Sequence, residues 1–165
     1  MKSLIRLFAL LMLIALPMHG SLADGTIPEA PYMPDEYAAE FMQAQDALLA
    51  HTPGAIVDYA VREYDDGRYE WDVFFTLDGR TGMAEIPETD YAVRRVRLYD
   101  MPEGGLTASQ IAASLAREKG DMQIIDLELD TDDGRLVYEG EAMLDGKRYE
   151  FEISVTGRIL DWERD

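Results

Sequence analysis

The sequence predicts an α+β fold built twice: two repeated units, each one helix packed on a three- to four-stranded antiparallel meander. Three observations predict it. Matching segments recur at a spacing of 66 to 68 residues. Each copy carries two Asp-Gly pairs twelve residues apart. In both copies the apolar residues change from helical to alternating spacing at the same place.

The first element is a leader. Lys2 and Arg6 are the only charges before Asp24, and Leu7 to Leu16 is an unbroken apolar run of ten residues. Pro17 and Gly20 break that run, and Ser21-Leu22-Ala23 offers small residues for cleavage between Ala23 and Asp24. A membrane span needs about 20 apolar residues, so residues 1–23 are expected to leave as a signal peptide with no stable anchor remaining. Cleavage takes the length from 165 to 142 residues. Loss of Lys2 and Arg6 takes the net charge from −18 to −20. Residues 24–34 form an acidic, Pro-rich linker.

The first unit is expected over residues 35–100. Its helix runs from about Asp35 to His51, with Tyr37, Phe41, Ala44, Leu48 and Leu49 as the apolar stripe and Pro53-Gly54 as its stop. Strands follow at Ile56 to Tyr64, Arg68 to Leu77 and Arg80 to Ile86. Tyr69, Trp71, Val73, Phe75 and Leu77 share one face of the middle strand, and a core role suits them better than an exposed ligand platform. The joints are Asp66-Gly67 and Asp78-Gly79, where glycine accepts positive φ. Pro87 interrupts the end of this copy.

The second unit is expected over residues 106–165. Thr107-Ala108-Ser109-Gln110 is a capping box, the stripe is Ile111, Ala112, Leu115 and Ala116, and Gly120 ends the helix. Ile125, Leu127 and Leu129 then alternate with Asp126, Glu128 and Asp130. Turns at Asp133-Gly134 and Asp145-Gly146 lead into strands over Arg135 to Leu144 and Lys147 to Val155. Matched by residue type, Asp58 aligns with Asp126 at a spacing of 68.

Composition excludes several functions. So negative a chain repels nucleic acid and anionic lipid. There is no cysteine, so stability rests on packing, and neither a disulfide nor a lipid-modified cysteine is available. Past the leader there is one histidine, His51, and three serines, Ser109, Ser114 and Ser154. A nucleophile needs a neighbouring base, and His51 falls at a helix end, where a cation complements the dipole. No catalytic residue, no cofactor and no His- or Cys-built metal site is expected. Asp130-Thr131-Asp132-Asp133-Gly134 has acids like a calcium loop, but its glycine is fifth rather than sixth, and a hairpin turn explains it better. Paired carboxylates exist among 33 acids without marking a site.

Ile111-Ala112-Ala113-Ser114-Leu115-Ala116, Ile124-Ile125-Asp126-Leu127-Glu128-Leu129, Val137-Tyr138-Glu139, Asp145-Gly146-Lys147, Tyr149-Glu150-Phe151-Glu152-Ile153 and Thr156-Gly157-Arg158-Ile159-Leu160 follow one another in an order that resembles the PepSY domain. That family occurs in propeptides of thermolysin-like metalloproteases and in many exported bacterial proteins. The resemblance covers about Leu106 to Trp162 and extends through the repeat to residues 35–99, where the ending diverges. Ser154-Val155-Thr156-Gly157 lacks the Asp that the family often carries before this turn. No protease segment follows in the sequence, so the expectation is a free-standing tandem pair, periplasmic or secreted. The resemblance implies a role in restraining proteases or assisting exported proteins.

The expected function is protein binding rather than catalysis, with a protease or a membrane sensor as partner. The alternative is an acidic sensor of small ligands or divalent cations. Arg94, Arg95 and Arg97 stand out against the acid, either paired internally or forming a docking patch with neighbouring tyrosines. Trp162, near the C-terminus, either caps the sheet or is offered to the partner.

Overall fold

The computed structural model describes residues 37–165 apart from 66 and 133. The leader, its cleavage point at Ala23 and Asp24, and the linker over 24–34 lie outside the described residues. The elements are α1 (Ala38–His51), β1 (Ile56–Asp65), β2 (Arg68–Leu77), β3 (Arg80–Pro87), β4 (Arg95–Tyr99), α2 (Ala108–Lys119), β5 (Gln123–Asp132), β6 (Arg135–Leu144), β7 (Lys147–Ser154) and β8 (Ile159–Arg164). They form two four-stranded antiparallel sheets, ordered β1-β2-β3-β4 and β5-β6-β7-β8. Each sheet is preceded by one helix. The fold class is the predicted one.

Turn chemistry sets the meanders. Asp78 and Gly79 both have positive φ (49° and 79°), as do Asp145 and Gly146 (51° and 71°). Two successive left-handed residues make the hairpin turn whose twist matches that of the flanking strands. The first unit has a fourth strand after the three placed in the sequence, the upper count of the expected three to four. Pro87 ends β3 but not the meander: after it the chain turns, and Arg94 N–H returns to Glu85 O (2.9 Å) to bring β4 back onto β3. Proline is tolerated there because it closes a strand.

The first three strands of each unit fix the repeat at 67 residues: 56–65 onto 123–132, 68–77 onto 135–144, and 80–87 onto 147–154. A bulge interrupts each edge strand, between Val57 and Tyr59 and again between Ile124 and Asp126. The alignment of Asp58 with Asp126 is therefore corrected. Asp58 corresponds to Ile125, and Asp126 stands where the first unit has Tyr59. The one-residue discrepancy arises because four residues join α1 to β1 and three join α2 to β5.

The two units share a core. On one face of the first sheet, Trp71, Val73, Phe75, Ala84 and Ile86 pack under Ala44 and Leu48 of α1, with Phe41 against Trp71 at 5.6 Å. On the other face, Val61, Phe74 and Met83 join Ile111, Leu115, Leu127, Leu129 and Tyr138 of the second unit. The middle of β2 is thus buried from Trp71 to Phe75 without a break. A strand covered on both faces reads as continuously apolar, and one residue here is not: Asp72.

Candidate functional site: the junction between the two units

Alternation along β2 turns Trp71 and Val73 toward α1 and turns Asp72 and Phe74 toward the second unit. Phe74 meets Tyr138 at 6.2 Å between ring centroids. Asp72 is only 2 % exposed, and its Oδ1 has no hydrogen-bond partner. Glu63, two residues beyond Val61 on β1, and Asp126, at the bulge of β5, converge on it. One carboxylate oxygen from each of the three lies within 4.8 Å of the others. Asp126 Oδ1 is also buried and unpartnered. Desolvation pushes Asp72 up to about 9, and the negative charges of Glu63, Glu70, Asp126 and Glu85 add to it. Asp126 is pushed up to about 7, again chiefly by burial and then by Glu63, Glu128 and Glu141. Carboxylates this close cannot all ionise unless a cation joins them.

Asp126 is held there by the backbone. Its strand crosses so close to β6 that a Cβ on Gly140 would lie 2.2 Å from Asp126 O. Only glycine allows this approach.

Above the cluster runs a groove of about 1200 Å³ between the units. Its walls are α1 and β1 on one side and α2 and β5 on the other. Its lining includes the consecutive runs 57–64 of β1 and 121–126, which leads into β5. Both are terminal strands of their sheets, and among the described residues neither outer edge carries a ladder partner. Tyr37, Phe41, Tyr64 and Tyr69 supply aromatic surface. Glu63, Asp121, Asp126 and Glu141 supply negative charge. The lining arginines are engaged: Arg62 is bidentate to Glu88 (2.6 and 2.9 Å) and stacks on Tyr69 (3.7 Å) and Tyr37 (4.3 Å), and Arg148 pairs with Glu141.

The residues singled out in the sequence lie elsewhere. Arg94 pairs with Asp90, Arg95 with Glu85 (3.0 Å), and Arg97 with Glu85 (3.4 Å) and Glu128 (3.6 Å). Each arginine of the cluster thus has an acidic partner within the chain, and Arg97 bridges the units. Trp162 stacks on Tyr149 (5.1 Å) and Phe151 (6.2 Å) under Lys119 Nζ (4.8 Å), so it covers the end of its own sheet. His51 Nδ1 lies 3.1 Å from Thr52 Oγ1 at the end of α1. Sequence reasoning missed Asp72 and Glu63. The available signal was an Asp in the middle of an otherwise aromatic and β-branched strand.

Residues 105–163 match the family described as peptidase propeptide and YPEB domain, PepSY. The second unit is the part of the chain that matches the PepSY family. The first unit lies outside the match and repeats the domain's element order. No curated protein matches the sequence. Among solved structures the chain is similar to the C-terminal domain of YpeB from Bacillus megaterium (16 % identity, 87 % of this chain and 70 % of that one, TM-score 0.37). It is also similar to YpmB from Bacillus subtilis (16 %, 81 % and 100 %, 0.36) and to a protein of Clostridium difficile 630 (14 %, 76 % and 92 %, 0.41). Within the matched unit, α2 and β5 form one wall of the groove, so the site exists only where that unit meets the preceding one. Among the described residues no helix is long and apolar enough to cross a membrane.

Proposed function

We propose that this chain is an extracytoplasmic protein-binding module that takes an extended, cationic segment of another exported protein into the groove between its units. The observation that carries the reading is that the outer edges of both sheets, β1 and β5, face one acidic groove. An unpaired strand edge pairs with an added strand through main-chain hydrogen bonds. Glu63, Asp121, Asp126 and Glu141 select a positive segment, while the protein's overall charge of −18 speeds its approach. An exported protease or a membrane sensor is the class of partner the reading points to, and it assigns the chain no reaction.

The test uses residues 24–165 and eight-residue peptides alternating valine with lysine or with glutamate. Saturable binding of the lysine peptide, with amide shifts concentrated in 57–64 and 121–126 and loss of binding on backbone N-methylation, is expected. Equal binding of the glutamate peptide, or shifts confined to other strands, would rule the reading out.

A further inference from the structure

We propose that Glu63, Asp72 and Asp126 form a divalent-cation site, best suited to calcium, that ties the first unit to the second. It shares Glu63 and Asp126 with the peptide-binding reading but does not rest on it. Two observations carry it. The first is geometric: three carboxylate oxygens from β1, β2 and β5 lie within 4.8 Å of one another. Ligands at calcium's usual 2.3–2.6 Å sit up to about 5 Å apart across the ion, whereas magnesium's 2.0–2.1 Å shell is tighter. The second is an unpaid cost. Asp72 is 2 % exposed, points into this cluster, and leaves Oδ1 without a partner. A buried carboxyl lacking a hydrogen bond is among the most expensive groups a fold can hold. Here it sits in a strand that is buried on both faces.

The donor set is all oxygen and all carboxylate, which suits a hard cation and disfavours a soft one. Glu63 and Asp126 also line the groove, so water can complete the shell from that side. Two ligands belong to the first unit and one to the second. Bound cation therefore neutralises repulsion across the junction and crosslinks the units. The acidic face of the second sheet continues from Asp126 to Glu139, Glu150, Glu152 and Asp161, and none of those four is buried and unpartnered, so Glu152 serves as the control.

The experiment is calorimetry and thermal unfolding of residues 24–165, stripped with chelator and then titrated with calcium chloride, magnesium chloride or sodium chloride of equal ionic strength. One calcium per chain is expected, with at least tenfold weaker magnesium binding and a melting temperature that rises with calcium alone. Asp72→Asn keeps the side chain's size and is expected to fold and lose the calcium response. Asp126→Asn, at the groove, gives the same readout should the buried change disturb folding. Glu152→Gln is expected to leave calcium binding unchanged. If calcium does no more than sodium chloride, or if both Asp72→Asn and Asp126→Asn bind as the parent does, the site does not exist. Neither result depends on whether the lysine peptide binds.

Discussion

The carboxylate of Asp58, on β1 of the first unit, caps α2 of the second. Ser109 donates its backbone N–H to Oδ2 (3.0 Å) and its hydroxyl to Oδ1 (2.7 Å), and the Thr107 hydroxyl donates to Oδ1 (3.1 Å). The local capping box closes as well, with Thr107 N–H donating to Gln110 Oε1 (3.0 Å). One helix start thus takes a cap from its own sequence and a second from the preceding unit. The bulge at Asp58 is what turns the carboxylate out of the ladder toward the helix. Removing a capping acid costs about 0.5–2 kcal/mol, and its charge also favours the helix N-terminus. Asp58→Ala is therefore expected to lower urea stability by roughly that amount. Hydrogen exchange should rise first in α2, although the mutation is in the other unit. Unchanged exchange in α2 would show that the inter-unit cap contributes nothing.

Phe74 and Tyr138 form the apolar half of the same junction. Both are fully buried, and the Tyr138 hydroxyl donates to Leu106 O at 3.1 Å. Truncating a buried phenylalanine typically costs about 3–5 kcal/mol. Phe74→Ala is expected to fall in that range and to split one unfolding transition into two. Tyr138→Phe removes one hydrogen bond and leaves Leu106 O to find another donor, at about 1 kcal/mol. A single sharp transition in Phe74→Ala would show that the units are held together by other contacts.

Gly140 tests the backbone geometry at the acidic cluster. An added methyl meets the Asp126 carbonyl at 2.2 Å, and main chain cannot step aside as a side-chain tip can. Gly140→Ala should destabilise by about 1–3 kcal/mol, the usual range for overpacking. It should also shift the amide resonances of 124–127. Stability and resonances equal to the parent's would show that the close approach at Gly140 is relieved without cost.

Arg62 and Glu88 predict the acid limb of stability. The bidentate hydrogen bond from Arg62 holds the Glu88 carboxyl below its ordinary range. A depressed carboxyl binds its proton more weakly folded than unfolded, so its stabilisation is full above the unfolded value near 4.5 and is lost as pH falls below it. Glu88→Gln is expected to lower stability at pH 7 and to flatten the profile between pH 5 and pH 3. Profiles that run parallel through that window would remove Glu88 from the account.

Much of the fold was legible because its signals are local. Asp78-Gly79 and Asp145-Gly146 specify the same turn wherever they occur, and Thr107 with Gln110 specify a helix start from four residues. The pairing of the first unit's fourth strand was less legible than the count of three to four strands. That pairing depends on Arg94 N–H reaching Glu85 O across a seven-residue connection rather than on a turn motif. The candidate site was hidden for a related reason. Asp72 reads as the polar half of an alternating strand, and nothing nearby in sequence says that the polar face will be covered.

Local conformational preference and apolar periodicity are encoded within a dozen residues, and by themselves they determined two helices, the meanders and the repeat. The meeting of Glu63, Asp72 and Asp126 was decided only when the second unit packed on the first. That brought β5 against a face of β2 more than fifty residues away in the chain. Burial, and the electrostatics that follow from it, belongs to the assembled surface and not to any segment.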